Sequence, residues 1–218
     1  MSESTKQAAS GWLFWDVDTQ VDFMREDGAL YVPDAESLDP HLARLTSAVV
    51  ARGIPLVQSA DDHELDDAEI SLEPDFSTTY PPHCMRRTRG AKRIPQTQID
   101  DVAVIGHQAI PRSDLEMRIA AASGVLLLKK HVDVFTNPNT EVVLDILQPE
   151  RVAVYGVALD VCNFHAVEGL LRRGYRVVVV SDATRPLDPE RGEELLAEWP
   201  ERGVELMTTE ELLAEIAL

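Results

Sequence analysis

Short apolar runs alternate along the chain with segments whose apolar residues recur at helical spacing. Five runs are apolar enough to predict buried strands, at 11–18, 54–61, 124–130, 151–158 and 176–183. The type of the run at 102–106 stays open, and the short stretch 204–208 connects the last two predicted helices. Helical spacing predicts helices at 35–53, 114–123, 139–148, 162–174, 189–203 and 209–218.

This alternation of strands and helices indicates the fold class. Strands that are continuously apolar are buried on both faces, which is typical of a parallel sheet covered by helices on both sides. We therefore predict a three-layer α/β/α fold with a mostly parallel, doubly wound sheet. With no repeat or linker in the pattern, residues 1–218 are predicted to form a single domain, with residues 1–10 as a flexible N-terminus.

Residues 62–100 interrupt the pattern. This stretch is rich in Asp, Pro, Thr and Arg and shows little periodicity. A long irregular segment inside a compact domain usually carries function, so we expect it to contribute to a binding site.

Composition and charge exclude some classes of partner and some cellular locations. The net charge of −18 argues against nucleic acids and anionic membranes as partners. Two cysteines do not make a disulfide framework, and the first ten residues lack the basic start and apolar core of a signal peptide. No apolar run reaches membrane-spanning length. We therefore expect a cytoplasmic protein with reduced thiols.

One basic cluster, at 85–93, stands out in this acidic chain. It lacks the interleaved aromatic residues of a nucleic-acid surface. We interpret it as a solvated loop or a subunit contact rather than a phosphate site.

The candidate chemistry lies where the predicted strands end, since ligands of parallel sheets bind at the carboxyl ends of the strands. The charged and nucleophilic residues at those ends are Asp16, Asp18, Asp22, Asp61, Asp62, His63, Lys129, Lys130, His131, Asp160 and Cys162. Cys162 also opens a predicted helix, whose first-turn N–H groups favour a thiolate. Taken singly, each charged residue is better explained as an ordinary strand end and Cys162 as a packed thiol. Their convergence on one edge of the sheet weakens that explanation and favours a catalytic site.

Several of these stretches resemble motifs of the isochorismatase/nicotinamidase superfamily of cysteine hydrolases. "DTQVDF" (18–23) resembles D-x-Q-x-D-F, "KKHVDVF" (129–135) resembles K-x-x-x-[DS]-x-F, and "GVALDVC" (156–162) resembles G-V-A-x-[DE]-x-C. The resemblance implies that Asp18 is the catalytic base, that Lys129 is catalytic and that Cys162 is the nucleophile. It further implies a cis peptide bond between Val157 and Ala158, with the backbone N–H groups of Ala158 and Cys162 forming the oxyanion hole.

Two further stretches resemble the metal-containing nicotinamidase branch of that superfamily. "SADDHE" (59–64) is similar to T-Q-D-W-H-P and "YPPHC" (80–84) to W-P-x-H-C. The resemblance implies a divalent metal held by Asp61, His63 and His83, with zinc expected and manganese or iron as alternatives. Phe23 and Tyr80 are the implied residues against the substrate ring, although Tyr80 stands where the branch usually has Trp.

The resemblance implies hydrolysis of a small-molecule amide C–N bond through a Cys thioester, with nicotinamide as the expected substrate. The alternative is a metal-free hydrolase of the same superfamily that acts on another small amide, carbamoyl or ureido compound. A third hypothesis is a catalytically silent binding domain on the same fold. Members of the superfamily are usually dimers or larger, so a homo-oligomer is expected.

Overall fold

The computed structural model describes residues 11–217, so the predicted flexible N-terminus at 1–10 lies outside the described residues. Within that range, seven strands pair in parallel to form one sheet: β1 (Trp12–Val17), β2 (Leu56–Asp61), β3 (Val102–Ile105), β4 (Gly124–Lys129), β5 (Arg151–Val157), β6 (Arg176–Arg185) and β7 (Glu205–Met207). Their order across the sheet is β3-β4-β2-β1-β5-β6-β7.

Helices cover both faces of this sheet: α1 (Val21–Met24), α2 (Asp39–Arg52), α3 (Arg112–Ala120), α4 (Thr140–Leu147), α5 (Cys162–Arg172), α6 (Pro189–Glu198) and α7 (Thr209–Glu215). Apolar residues of α2 and α7 pack on one face, and those of α3 to α6 pack on the other. Neighbouring residues of β1 divide between the two cores, with Phe14 in one and Trp15 in the other, because side chains of a strand alternate. The predicted three-layer α/β/α fold is thereby confirmed.

Proline and local sequence shift some predicted boundaries. The predicted helix 35–53 begins with a 3₁₀ turn at Ala35–Leu38, and α2 starts at Asp39 with Pro40 in its first turn. The predicted helix 189–203 divides into α6 and a 3₁₀ turn at Trp199–Arg202, where Pro200 has no N–H to continue the α-helical ladder. The apolar run of open type at 102–106 is the edge strand β3.

The strand order places a crevice at the centre of the sheet. The chain passes from β1 to β2 on one side, and β5 later joins β1 on the other side. Ligands of doubly wound sheets bind at such a switch point, outside the carboxyl ends of the strands. Four adjacent strands, β4, β2, β1 and β5, place Lys129, Asp61, Asp18 and Cys162 at or just beyond their carboxyl ends, while His83 and Tyr80 lie in the irregular segment between β2 and β3.

Across residues 11–217, no helix combines the length and the apolar character that a membrane crossing requires.

Candidate active site and metal centre

Lys129 is the central cation of the site. It ends β4 beside Asp61 of β2, its register partner, and it is 1% exposed. Its ammonium lies 2.9 Å from Oδ2 of Asp18 and 3.5 Å from Sγ of Cys162, and it also forms an ion pair with Asp61. Burial disfavours its charge, but the two carboxylates outweigh burial and raise the pKa of Lys129 well above its ordinary value. The lysine is therefore a permanent positive charge between the thiol and two carboxylates.

Asp18 is positioned to act as a base toward the thiol of Cys162. It follows β1, is fully buried, and adopts a left-handed backbone with φ of 49°. Its Oδ1 accepts a hydrogen bond of 2.8 Å from the Ser59 hydroxyl, while Oδ2 faces Lys129. Burial raises the pKa of Asp18 by more than Lys129 lowers it. A buried carboxylate of raised pKa is a stronger proton acceptor than one in water.

Cys162 begins α5 directly beyond β5 and is 7% exposed. Burial raises the pKa of its thiol well above the ordinary value, although Lys129 opposes this. Burial therefore disfavours the thiolate, and attack on a carbonyl requires a base such as Asp18 to accept the thiol proton.

The backbone before Cys162 is shaped for an anion. The Val157–Ala158 peptide bond is cis, as the resemblance implied. The N–H groups of Ala158 and Cys162 donate to no acceptor among residues 11–217, whereas the N–H groups of Val161 and Asn163 both donate to the Ala158 carbonyl. Two free N–H groups next to a nucleophile are the elements of an oxyanion hole.

Asp61, His63 and His83 form a second cluster beside the first. Their ligand atoms all lie within 4.8 Å of one another, and all three side chains are buried. Nε2 of His83 lies 3.5 Å from Oδ2 of Asp61, and Nε2 of His63 lies 3.9 Å from Oδ1. Asp61 therefore belongs to both clusters, because its carboxylate contacts Lys129 on one side and the histidines on the other.

The three residues fit a divalent metal. His83 Nδ1 lies 2.8 Å from the Pro81 carbonyl, which can only accept, so this nitrogen carries a proton and Nε2 is the ring atom that faces Asp61. Burial lowers the pKa of His83, but the Asp61 carboxylate outweighs burial and raises it, so a metal ion would take the place of a proton at Nε2. Both ring nitrogens of His63 are buried and have no hydrogen-bond partner among the described residues. Burial lowers the pKa of His63 to about 4, which keeps its imidazole neutral. Two imidazoles and one carboxylate are a donor set typical of catalytic zinc.

A pocket of about 350 Å³, open mouth included, joins the two clusters. Its wall is formed by Phe23, Leu30, Val32, Asp61, Tyr80, His83, Val132, Ala158, Val161, Cys162 and Leu187. The ring centroids of Phe23 and Tyr80 lie 5.4 and 6.1 Å from that of His83. The two aromatic residues selected from the sequence thus line the pocket that contains Cys162.

Glu69 lies beside the metal cluster and was missed from the sequence. It is 3% exposed, and its Oε2 lies 3.9 Å from Nε2 of His63. Its Oε1 accepts the N–H of Val132, a residue of the pocket wall. Burial raises the pKa of Glu69 to about 7. No local signal distinguishes this glutamate from the other acidic residues of 62–100, because its burial results from packing.

The prediction that the basic segment 85–93 is a solvated loop or subunit contact is wrong for its last residue. Arg93 is 9% exposed and forms a buried ion pair with Asp16 of β1. The same guanidinium donates to the Ser59 carbonyl at 3.2 Å and to the Thr19 hydroxyl at 2.7 Å. A carboxylate in a strand buried on both faces requires a partner of opposite charge, and Arg93 supplies it.

Comparisons with known proteins agree with this architecture. The family model described as the isochorismatase domain matches residues 16–211. The nicotinamidase/pyrazinamidase of Mycobacterium tuberculosis is 27% identical over 197 residues, which cover 88% of this chain and 95% of that protein.

Solved structures show the same fold. The pyrazinamidase of Pyrococcus horikoshii in complex with zinc superimposes with a TM-score of 0.70 at 21% identity, covering 91% of this chain and 99% of that one. The N-carbamoylsarcosine amidase of Thermoplasma acidophilum superimposes with a TM-score of 0.69 at 21% identity, covering 92% of this chain and 97% of that one. Since the family model spans nearly the whole chain, this protein belongs to the isochorismatase family of hydrolases, near its nicotinamidase branch.

Proposed function

We propose that this protein is a metal-containing cysteine amidohydrolase that hydrolyses nicotinamide, or a closely related heteroaromatic amide, to the acid and ammonia. The observation that carries the proposal is the meeting of two clusters at one pocket. Lys129 contacts Asp18 and Cys162 on one side, and Asp61 connects it to His63 and His83 on the other. The relatives that act on nicotinamide and pyrazinamide, by their names, support the same chemistry.

The residues of the first cluster account for each proton in such a reaction. Asp18 accepts the thiol proton as Cys162 Sγ bonds to the amide carbon. The carbonyl oxygen becomes an oxyanion beside the N–H groups of Ala158 and Cys162. Asp18 then returns the proton to the nitrogen as the C–N bond breaks and ammonia leaves. Water, deprotonated by the same carboxylate, hydrolyses the thioester and restores the thiol.

Lys129 stabilises the negative charge that these proton transfers move between Asp18 and Cys162. Its ammonium lies close to both Oδ2 of Asp18 and Sγ of Cys162. Whichever of the two has lost the proton, its negative charge is within hydrogen-bonding range of the same cation. Asp61, His63 and His83 would hold the divalent metal, with zinc as the first expectation. Such an ion supplies Lewis acidity, which can hold a heteroaromatic nitrogen or polarise water.

The walls of the pocket favour an uncharged aromatic amide. Apart from the residues of the two clusters, they consist of apolar and aromatic side chains, and the pocket lining includes no Arg or Lys. In the metal-free alternative, a carbamoyl or ureido acid would bring a carboxylate into a pocket whose lining holds no Arg or Lys, and the ammonium of Lys129 behind it is already paired with two carboxylates. An unpaired charge in such surroundings is costly.

Ammonia release from a panel of amides tests the proposal. The most informative pair is nicotinamide and benzamide, which differ only in the ring nitrogen. We expect the wild type to prefer nicotinamide, and His83→Ala to lose most of that preference. Cys162→Ala should be inactive, while Cys84→Ala, which removes the other thiol, should stay active.

Three results would count against the proposal. Equal rates for wild type and Cys162→Ala would remove the nucleophile. A preference for carbamoyl or ureido compounds, with no effect of metal depletion, would favour the metal-free alternative. No hydrolysis of any amide in the panel would favour the silent binding domain.

A further inference from the structure

Asp22, the last acidic residue of "DTQVDF", has no part in the proposed chemistry, yet three separate segments converge on it. It lies in the first turn of α1 and precedes Phe23 of the pocket wall. Its Oδ2 accepts the N–H of Cys84 at 2.7 Å, and its Oδ1 accepts the N–H of Ala29 at 3.0 Å. Two backbone donors distant in sequence are thus held by one carboxylate.

The backbone of Asp22 adds two more contacts. Its N–H donates to the Gly90 carbonyl at 3.1 Å, and its carbonyl accepts the N–H of Leu30 at 3.2 Å. The Gly90 backbone approaches so closely that a Cβ there would lie 2.0 Å from Oδ2 of Asp22. Any side chain at this position would displace the carboxylate, so the sequence around Gly90 accommodates Asp22 specifically.

The bond to Cys84 bears directly on the metal cluster. Cys84 follows His83, and its backbone is left-handed, with φ of 45°. Its N–H is held by Asp22, and its carbonyl accepts the N–H of His63 at 3.2 Å. One peptide segment therefore connects the Asp22 carboxylate to both histidines.

We propose that Asp22 is a positioning residue for the metal centre, holding the His83 segment against His63 and fixing it relative to the Leu30 wall. The proposal rests on the metal site of the proposed function. Without the carboxylate, the His83 segment would lose one of the bonds that hold it in place before the metal binds, and restoring its position would cost metal affinity. Partners that orient metal ligands typically contribute about 10- to 100-fold in affinity, and we expect a loss of that size in Asp22→Asn.

Asp160 offers a matched control. Its two carboxylate oxygens accept the N–H groups of Leu187 and Asp188, both at 2.8 Å, so it also joins distant segments through two backbone bonds. Among the described residues, no hydrogen bond or ion pair joins its side chain to the His63 or His83 segment. Asp160→Asn should therefore lose comparable hydrogen bonds while keeping zinc affinity within about threefold of wild type.

The experiment measures the zinc affinity of metal-depleted wild type, Asp22→Asn and Asp160→Asn by competition with a chromophoric chelator. Selective weakening in Asp22→Asn supports the proposal. It is overturned if Asp22→Asn binds zinc as tightly as wild type, or if both variants weaken equally, which would indicate a general loss of rigidity. Zinc binding by a wild type that hydrolyses no amide would count against the proposed function alone.

Hydrogen exchange of the metal-free wild type gives a second test that needs no variant. Ala29 is exposed, so protection of its amide requires the bond to Asp22. We expect slow exchange at both Ala29 and Cys84. Exchange of these two amides at the rate of an unstructured chain would overturn the proposal even if Asp22→Asn failed to fold.

Discussion

Replacing Lys129 by Met should destabilise the folded protein strongly and in a pH-dependent way. The substitution keeps an unbranched side chain as far as Cε and removes the ammonium that contacts Asp18 and Asp61, both buried. Removing one partner of a buried ion pair typically costs about 3–5 kcal/mol. Since domains are stable by about 5–15 kcal/mol, the loss would be a large part of the free energy of unfolding.

The pH dependence follows from the two carboxylates. Burial raises the pKa of Asp18 above its ordinary value despite Lys129, whereas Lys129, His83 and His63 together outweigh burial and hold the pKa of Asp61 below its ordinary value. In Lys129→Met the pKa of Asp18 rises further above its unfolded value, and Asp61 loses one of the charges that hold its pKa down. The folded variant therefore binds more protons than the folded wild type, and its stability relative to wild type falls as the pH rises through those pKa values. The deficit of Lys129→Met should be larger at about pH 8 than at about pH 5.

Lys130→Met is the matched control. Lys130 is the next residue, but its side chain is 32% exposed, and its ammonium pairs with Asp67 at 2.6 Å near the surface. Such pairs contribute about 0–1 kcal/mol. Urea unfolding of the metal-depleted proteins, followed by circular dichroism at both pH values, compares the two. A loss below about 1 kcal/mol for Lys129→Met, or a loss that does not change with pH, would refute the reasoning.

Three further substitutions test separate contacts. Ser59→Ala removes the hydrogen bond that the Ser59 hydroxyl donates to Asp18, which should lower kcat about tenfold with KM unchanged. Steady-state kinetics in which KM alone changed would contradict this. His83→Ala should lower the zinc content measured by atomic emission more than it lowers the folded fraction, and extensive unfolding would instead indicate a structural metal. Thr208→Ala breaks the capping box of α7 with Glu211 and should cost about 1 kcal/mol without affecting activity; unchanged thermal stability would contradict it.

The layer architecture was predictable because hydrophobic periodicity is a local property of the chain. Strands buried on both faces are continuously apolar, as in β5, and helices such as α5 repeat their apolar residues at helical spacing. The predicted ends of helices were less accurate where a single residue changes the local hydrogen bonding, as Pro200 does after α6. The edge strand β3 could not be typed from four residues alone.

For the site, the sequence determined which residues stand at strand ends and which motifs they resemble, so Asp18, Lys129 and Cys162 could be selected before any distance was known. Tertiary structure alone decided the burial of Glu69, the pairing of Arg93 with Asp16, and the convergence on Asp22. Those contacts join residues as far as 77 positions apart. Their energies depend on burial and on the partner that packing provides, and neither property is encoded in the local pattern that a sequence displays.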